Sequence, residues 1–195
     1  MTHLKTNTQS PVVRLVLSAL FLALGLVLPF LTGQIQQIGN MLLPMHLPVL
    51  LCGFICGWPY GLAVGAVLPI MRSALFTMPV LYPGAIAMAF ELATYGFLAG
   101  FVFGRARWQC VRSLYRALIV AMLGGRLVWG LAMLCLLGLD GKLFTLGAFW
   151  MGAFANALPG IVLQLILIPS VMLLFHKTHL MPMRKKPKSN DEVSP

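Results

Sequence analysis

Apolar residues run in long blocks along this chain, and short polar or basic stretches separate the blocks. Four blocks can be read directly: residues 12–31, 84–104, 117–139 and 146–175. An α-helix rises 1.5 Å per residue, so crossing a ~30 Å hydrocarbon core takes about 20 mostly apolar residues, and each block reaches that length. A fifth stretch, residues 47–71, carries no charge and is long enough for one helix. Gly57, Trp58 and Pro59 interrupt it, however, and a proline breaks a helix or begins one.

The placement of basic residues decides between five helices and six. With the fifth stretch split, both termini lie on the cytoplasmic side together with Lys5, Arg14, Arg105, Arg107, Arg112, Arg116, Lys177, Arg184, Lys185, Lys186 and Lys188. Only Arg72 and Lys142 are then left outside, and Arg126 falls within a helix. An unsplit stretch spreads the charges more evenly, so the positive-inside bias favours six. The second helix, residues 47–56, then covers only about half of the ~30 Å core. The preceding residues 32–46 mix Gln34, Gln36, Gln37 and Asn40 with apolar side chains and Pro44. Non-helical backbone at membrane depth survives only where protein or a water-filled cavity satisfies it, so this outer loop is expected to fold inward over a pocket.

Composition agrees with the helix count. Of 195 residues, 59% are hydrophobic and 9% charged, which excludes a soluble globular domain. The predicted fold is all-α: one polytopic membrane domain over residues 12–175, with a cytoplasmic tail at 1–11 and a basic cytoplasmic tail at 176–195. The formal charge of +10 would suggest nucleic acid in a soluble protein. Here the basic residues flank apolar segments, so the expected partner is the lipid bilayer and no nucleic acid. Cys52, Cys56, Cys110 and Cys135 lack paired CxxC spacing and read as small packing residues. The first apolar block follows Lys5 and Arg14 as in a signal peptide, but no A-x-A-like site follows it, so retention is expected. Glycines recur every fourth residue at 53, 57, 61 and 65 and again at 96, 100 and 104, a spacing that lets helices approach closely.

Ionisable side chains at membrane depth are costly, so each is a functional candidate that needs a partner. Glu91 lies about two turns below the outer start of the fourth helix, Arg126 near the middle of the fifth, and Arg72 closes the outer end of the third. Two readings stand. The three charges line an outward-facing site for a small polar or zwitterionic solute, with arginine gripping a carboxylate or phosphate; or Glu91 and Arg126 form an ion pair that only neutralises itself. Helical spacing brings Thr94 and Tyr95 beside Glu91 and Trp129 beside Arg126, and Asn156 is the strongest neutral candidate because an amide in hydrocarbon needs partners. His46, at the outer entrance to the second helix, and Asn40 in the loop complete the candidates. For His46 the plainer expectation is an exposed loop histidine. His176 and His179 share a helical spacing without any Cys or carboxylate, so no metal site is expected. No nucleophile motif or paired carboxylates and no phosphate-binding loop occur, so the chain is expected not to be an enzyme and to need no cofactor.

A chain of this size and topology resembles the S components, the substrate-binding subunits of energy-coupling factor (ECF) transporters. Ala19-Leu20-Phe21-Leu22-Ala23 in the first helix is similar to the family's A-x-x-x-A signature. The run from Asn40 through Pro44, His46 and Pro48 to Leu51 resembles its first loop entering the second helix, and residues 89–96, around Glu91, resemble the fourth helix of some members. The resemblance implies a subunit of the bacterial plasma membrane that captures a water-soluble vitamin or related micronutrient from outside. It also implies a membrane coupling subunit, docked on the face around Ala19 and Ala23, and two ABC-type ATPases that hydrolyse the ATP. Two other classes compete with it: a stand-alone proton-coupled transporter acting through Glu91, and a non-transporting scaffold. The sequence does not name the solute, although an arginine-lined pocket points to an anionic group.

Overall fold

Gly57 divides the charge-free stretch in two. Its φ of 99° lies where L side chains are strained, and its N–H closes the last turn of one helix onto the Gly53 carbonyl. The next helix starts at Trp58, with Pro59 in its first turn, where a missing N–H costs nothing. The computed structural model of the chain describes residues 10–32, 43–106, 110–141, 145–152 and 157–177, and among these it is helical without strands.

The helices are α1 (Pro11–Val27), α2 (His46–Cys56), α3 (Trp58–Phe76), α4 (Ile86–Arg105), α5 (Val111–Leu139), the short α6 (Leu146–Trp150) and α7 (Leu158–Lys177). A 3-10 turn, Leu28–Thr32, extends α1, and a single wide turn, Leu81–Ala85, leads into α4. Five segments are long and apolar enough to cross a membrane: Pro11–Phe30, Trp58–Phe76, Leu81–Arg105, Val111–Leu139 and Leu158–Phe175. The remaining apolar helix, α2, has 11 residues and spans about 16 Å. The protein is therefore a polytopic all-α membrane protein whose second helix is short, as the sequence pattern predicts.

Three boundaries differ from the sequence expectation. The block 146–175 is not one helix: α6 ends at Trp150 and α7 begins at Leu158, with Pro159 in the first turn of α7. The fifth helix starts six residues before Ala117, at Val111, because Leu114 there is buried and belongs to the core. The third runs on past Arg72 to Phe76 before Thr77 takes a left-handed φ of 59°. The expected inward-folding loop, apart from its two ends, and the outer parts of both tails lie outside the described residues.

From α1 to α5 successive helices alternate in direction, the short α2 included. At one end of the bundle Phe30 meets Phe76 edge-on at 4.9 Å, and the Tyr82 hydroxyl donates to the Leu136 carbonyl at 2.5 Å. At the other end Phe54 meets Phe103 and Trp58 meets Phe97. α4 occupies the centre and packs on α2, α3 and α5; α1 lies across α2 and α3, and α7 touches α5 and α2.

A glycine seam fixes this centre. A Cβ on Gly61 would stand 2.7 Å from Gly53 Cα and 2.7 Å from the Gly96 carbonyl oxygen, and one on Gly65 or Gly96 would collide with the backbone of Leu92 or Gly61. Lipid supplies no hydrophobic drive to join helices, so van der Waals contact at this closeness, with many atom pairs of ~0.1–0.2 kcal/mol each, holds them together. The fourth-residue pattern marks this seam, yet not every member belongs to it: Gly104 has no such neighbour within 4 Å among the described residues.

Candidate functional site

Glu91 and Tyr95 stand one turn apart on α4, on the face that meets α2 and α5. Both are buried, Glu91 at 1% exposure. α5 brings Arg126 to the same place at 4% exposure. The close approach depends on the preceding residue: a Cβ on Gly125 would lie 2.9 Å from the Tyr95 ring and 3.2 Å from the Glu91 carbonyl oxygen. α2 supplies His46 from its first turn, 1% exposed.

The three helices converge on one carboxylate oxygen. Arg126 Nη1 lies 2.9 Å from Glu91 Oε1, and His46 Nε2 lies 3.4 Å from the same atom. Neither approach is aligned as a hydrogen bond, so the cluster is held by charge and packing. The His46 and Tyr95 rings meet edge-on at 5.1 Å. Several polar atoms have no hydrogen-bond partner among the described residues: Arg126 Nε and Nη2, His46 Nδ1 and the Tyr95 hydroxyl. Buried polar atoms are ordinarily satisfied, and leaving one without a partner costs about 1–3 kcal/mol.

His46 is therefore not the exposed loop histidine that the sequence suggests. The sequence places it beside Pro44 and Pro48 at the start of an apolar run, but only the packing of α2 against α4 shows what it faces.

Arg72 departs from the expected site as well. Its Nη1 donates to the Leu26 carbonyl at 2.9 Å, and its guanidinium lies over the rings of Phe30 and Phe76, at 5.5 and 5.6 Å. It ties α3 to the end of α1 and makes no ion pair among the described residues. Of the three charges expected together, the structure brings Glu91 and Arg126 into contact and adds His46, while Arg72 bonds to the end of α1 instead.

Trp129, one turn beyond Arg126, stacks on Phe149 at 6.4 Å and so connects α5 to α6. Thr94 donates to the Phe90 carbonyl of its own helix, which satisfies its hydroxyl locally. Asn40 and Asn156 lie outside the described residues. On α1, Ser18, Phe21 and Gly25 turn inward, which leaves Ala19 and Ala23 exposed.

One residue escapes the sequence reading. Gln164 is fully buried, both of its amide atoms lack partners among the described residues, and it shares an α7 face with Ile168 and Met172. The signal was available, since an amide in an 18-residue apolar span is as conspicuous as Asn156.

Comparison with known proteins bears on the whole arrangement. No curated protein and no solved structure matches the chain. A family model described as "ECF transporter, substrate-specific component" matches residues 13–172. The match runs from the first span almost to the end of the last, and the chain belongs to the family of ECF transporter substrate-specific components.

Proposed function

We propose that this subunit captures a water-soluble vitamin or related micronutrient at the buried polar cluster where α2, α4 and α5 meet, and that the transporter it serves is an ATP-driven importer. One observation carries the reading. In a chain with four acidic residues, the single one inside a span is met by Arg126 and His46 at one oxygen, while buried donors beside it have no partner among the described residues. An ion pair kept for stability alone is seldom better than an apolar replacement, so the polar cluster is best explained by what it binds.

In this reading Arg126 grips the solute, Glu91 and His46 orient Arg126, and Tyr95 offers its hydroxyl. Gln164 offers a neutral donor and acceptor from α7. Asn40, Asn156 and Trp129 remain candidates for the rim of the site. The exposed face of α1 around Ala19 and Ala23 docks on a membrane coupling subunit, because small side chains permit close helix approach. That subunit works with two ABC-type ATPases, which hydrolyse the ATP, so this chain is a binding subunit without catalysis or cofactor of its own. In the same reading the chain sits in a bacterial plasma membrane with both termini cytoplasmic, an orientation supported by the basic residues at the helix ends. Residues 12–175 then act as one membrane domain between two cytoplasmic tails.

The test is to purify the chain in detergent and to identify by mass spectrometry the solute that stays bound. Arg126→Ala should lose that solute. Uptake driven by a proton gradient in vesicles holding this chain alone would identify a secondary transporter instead.

A further inference from the structure

Arg126 uses only part of its guanidinium on Glu91. Nη1 makes the 2.9 Å contact, while Nε and Nη2 have no partner among the described residues. Those two nitrogens form the side edge of the group, where two N–H bonds run parallel. This edge takes both oxygens of a carboxylate at once. A guanidinium carries donors and no acceptor, so this edge offers two N–H groups to whatever meets it.

The donors of the cluster outnumber its acceptors. Glu91 Oε1 already faces two nitrogens, from Arg126 and from His46. Among the described residues the unpartnered groups of the cluster are Arg126 Nε and Nη2, the Tyr95 hydroxyl and His46 Nδ1, while Glu91 Oε1, which has no aligned hydrogen bond, is already covered by Arg126 Nη1 and His46 Nε2. A cationic or purely donating solute would leave them unmet, whereas an oxyanion would satisfy them.

Charge balance narrows the class further. Glu91 and Arg126 cancel, so each negative charge that a solute brings goes uncompensated unless His46 answers it. A monoanion is accommodated at lower cost than a dianionic phosphate ester. We infer that the solute is a small carboxylate, bound across the Nε–Nη2 edge of Arg126. This rests on the reading of the cluster as the solute site.

The test uses the full chain in detergent and matched acid and neutral compounds: pantothenate with panthenol, nicotinate with nicotinamide, orotate with uracil, and 4-pyridoxate with pyridoxine. Thermal stabilisation and the mass of any retained solute are read for wild type and for Arg126→Lys, which keeps the charge and loses the fork. The expected result is that the retained solute is a carboxylic acid, or that an acid stabilises wild type while its neutral counterpart does not. Arg126→Lys should weaken that binding about 10- to 100-fold, the span of hydrogen bonds to charged groups. If Arg126→Lys does not fold, the wild-type comparison decides alone. A retained solute that is neutral or cationic, or a neutral compound as effective as its acid, overturns the carboxylate inference and leaves the binding site standing. A wild type that retains nothing and responds to none of the eight compounds overturns both.

Discussion

Toward the C-terminal half of α4, Gly96 and Gly100 lie against Gly53 of α2 and Gly61 and Trp58 of α3, with backbone touching backbone. Nearer the start of the same helix, α4 faces α2 again, now through Glu91, Tyr95 and His46, and several polar atoms there have no partner among the described residues. The first region has no room for a side chain. The second has polar groups in excess of their bonds. The contrast shows how a membrane protein can hold charge away from water: a close-packed seam fixes the helices, so a neighbouring cluster can leave its donors unsatisfied without the bundle drifting apart to solvate them.

Breaking the cluster from one side should have the largest effect. Arg126→Met leaves Glu91 buried beside His46 alone and should destabilise the protein by about 3–5 kcal/mol, measured by unfolding in detergent. The double variant Glu91→Leu with Arg126→Met should recover to within about 1 kcal/mol of wild type. A single variant as stable as wild type would mean that the pair is already hydrated.

The seam should respond next. Gly96→Ala places a methyl group against the Gly61 backbone and should cost about 2–3 kcal/mol, whereas Gly104→Ala, which meets no described residue, should stay within about 0.5 kcal/mol. Equal effects at the two sites would remove the distinction between seam and exterior.

Arg72 tests the border between the two regions. Arg72→Met gives up the bond to the Leu26 carbonyl and the contacts with Phe30 and Phe76, at a cost of about 1–2 kcal/mol. Solute affinity should not change. A fall in affinity would return Arg72 to the site.

The smallest effect on stability is expected on the outer face of α1. Ala19→Trp and Ala23→Trp should change it by no more than about 0.5 kcal/mol, because both positions are exposed, yet they should block assembly with the coupling subunit. Intact assembly in pull-down would move the docking face elsewhere.

The fold was legible wherever a local rule applied. Gly57-Trp58-Pro59 divides two helices because the backbone there needs a positive φ and then a residue without an N–H, and both are local properties. Glu91 and Arg126 could be singled out because charge is scarce in this chain. Their partnership with His46 could not be read, since it depends on α2 and α4 meeting across 45 residues of sequence. The same limit applies to Arg72, whose rings and carbonyl come from the end of α1 as well as from α3. The missed Gln164 is a different case. It lay within reach of the rule already used for Asn156 in the same apolar block.

The site assignment stands or falls on the double variant. Glu91→Leu with Arg126→Met keeps the helices packed and removes the charges, so a change in bound solute reports the chemistry of the cluster and not its stability. Mass spectrometry of the purified proteins, compared at equal thermal stability, should find a small solute on wild type and none on the double variant. The same solute on both, in the same amount, would contradict the assignment of this cluster as the binding site.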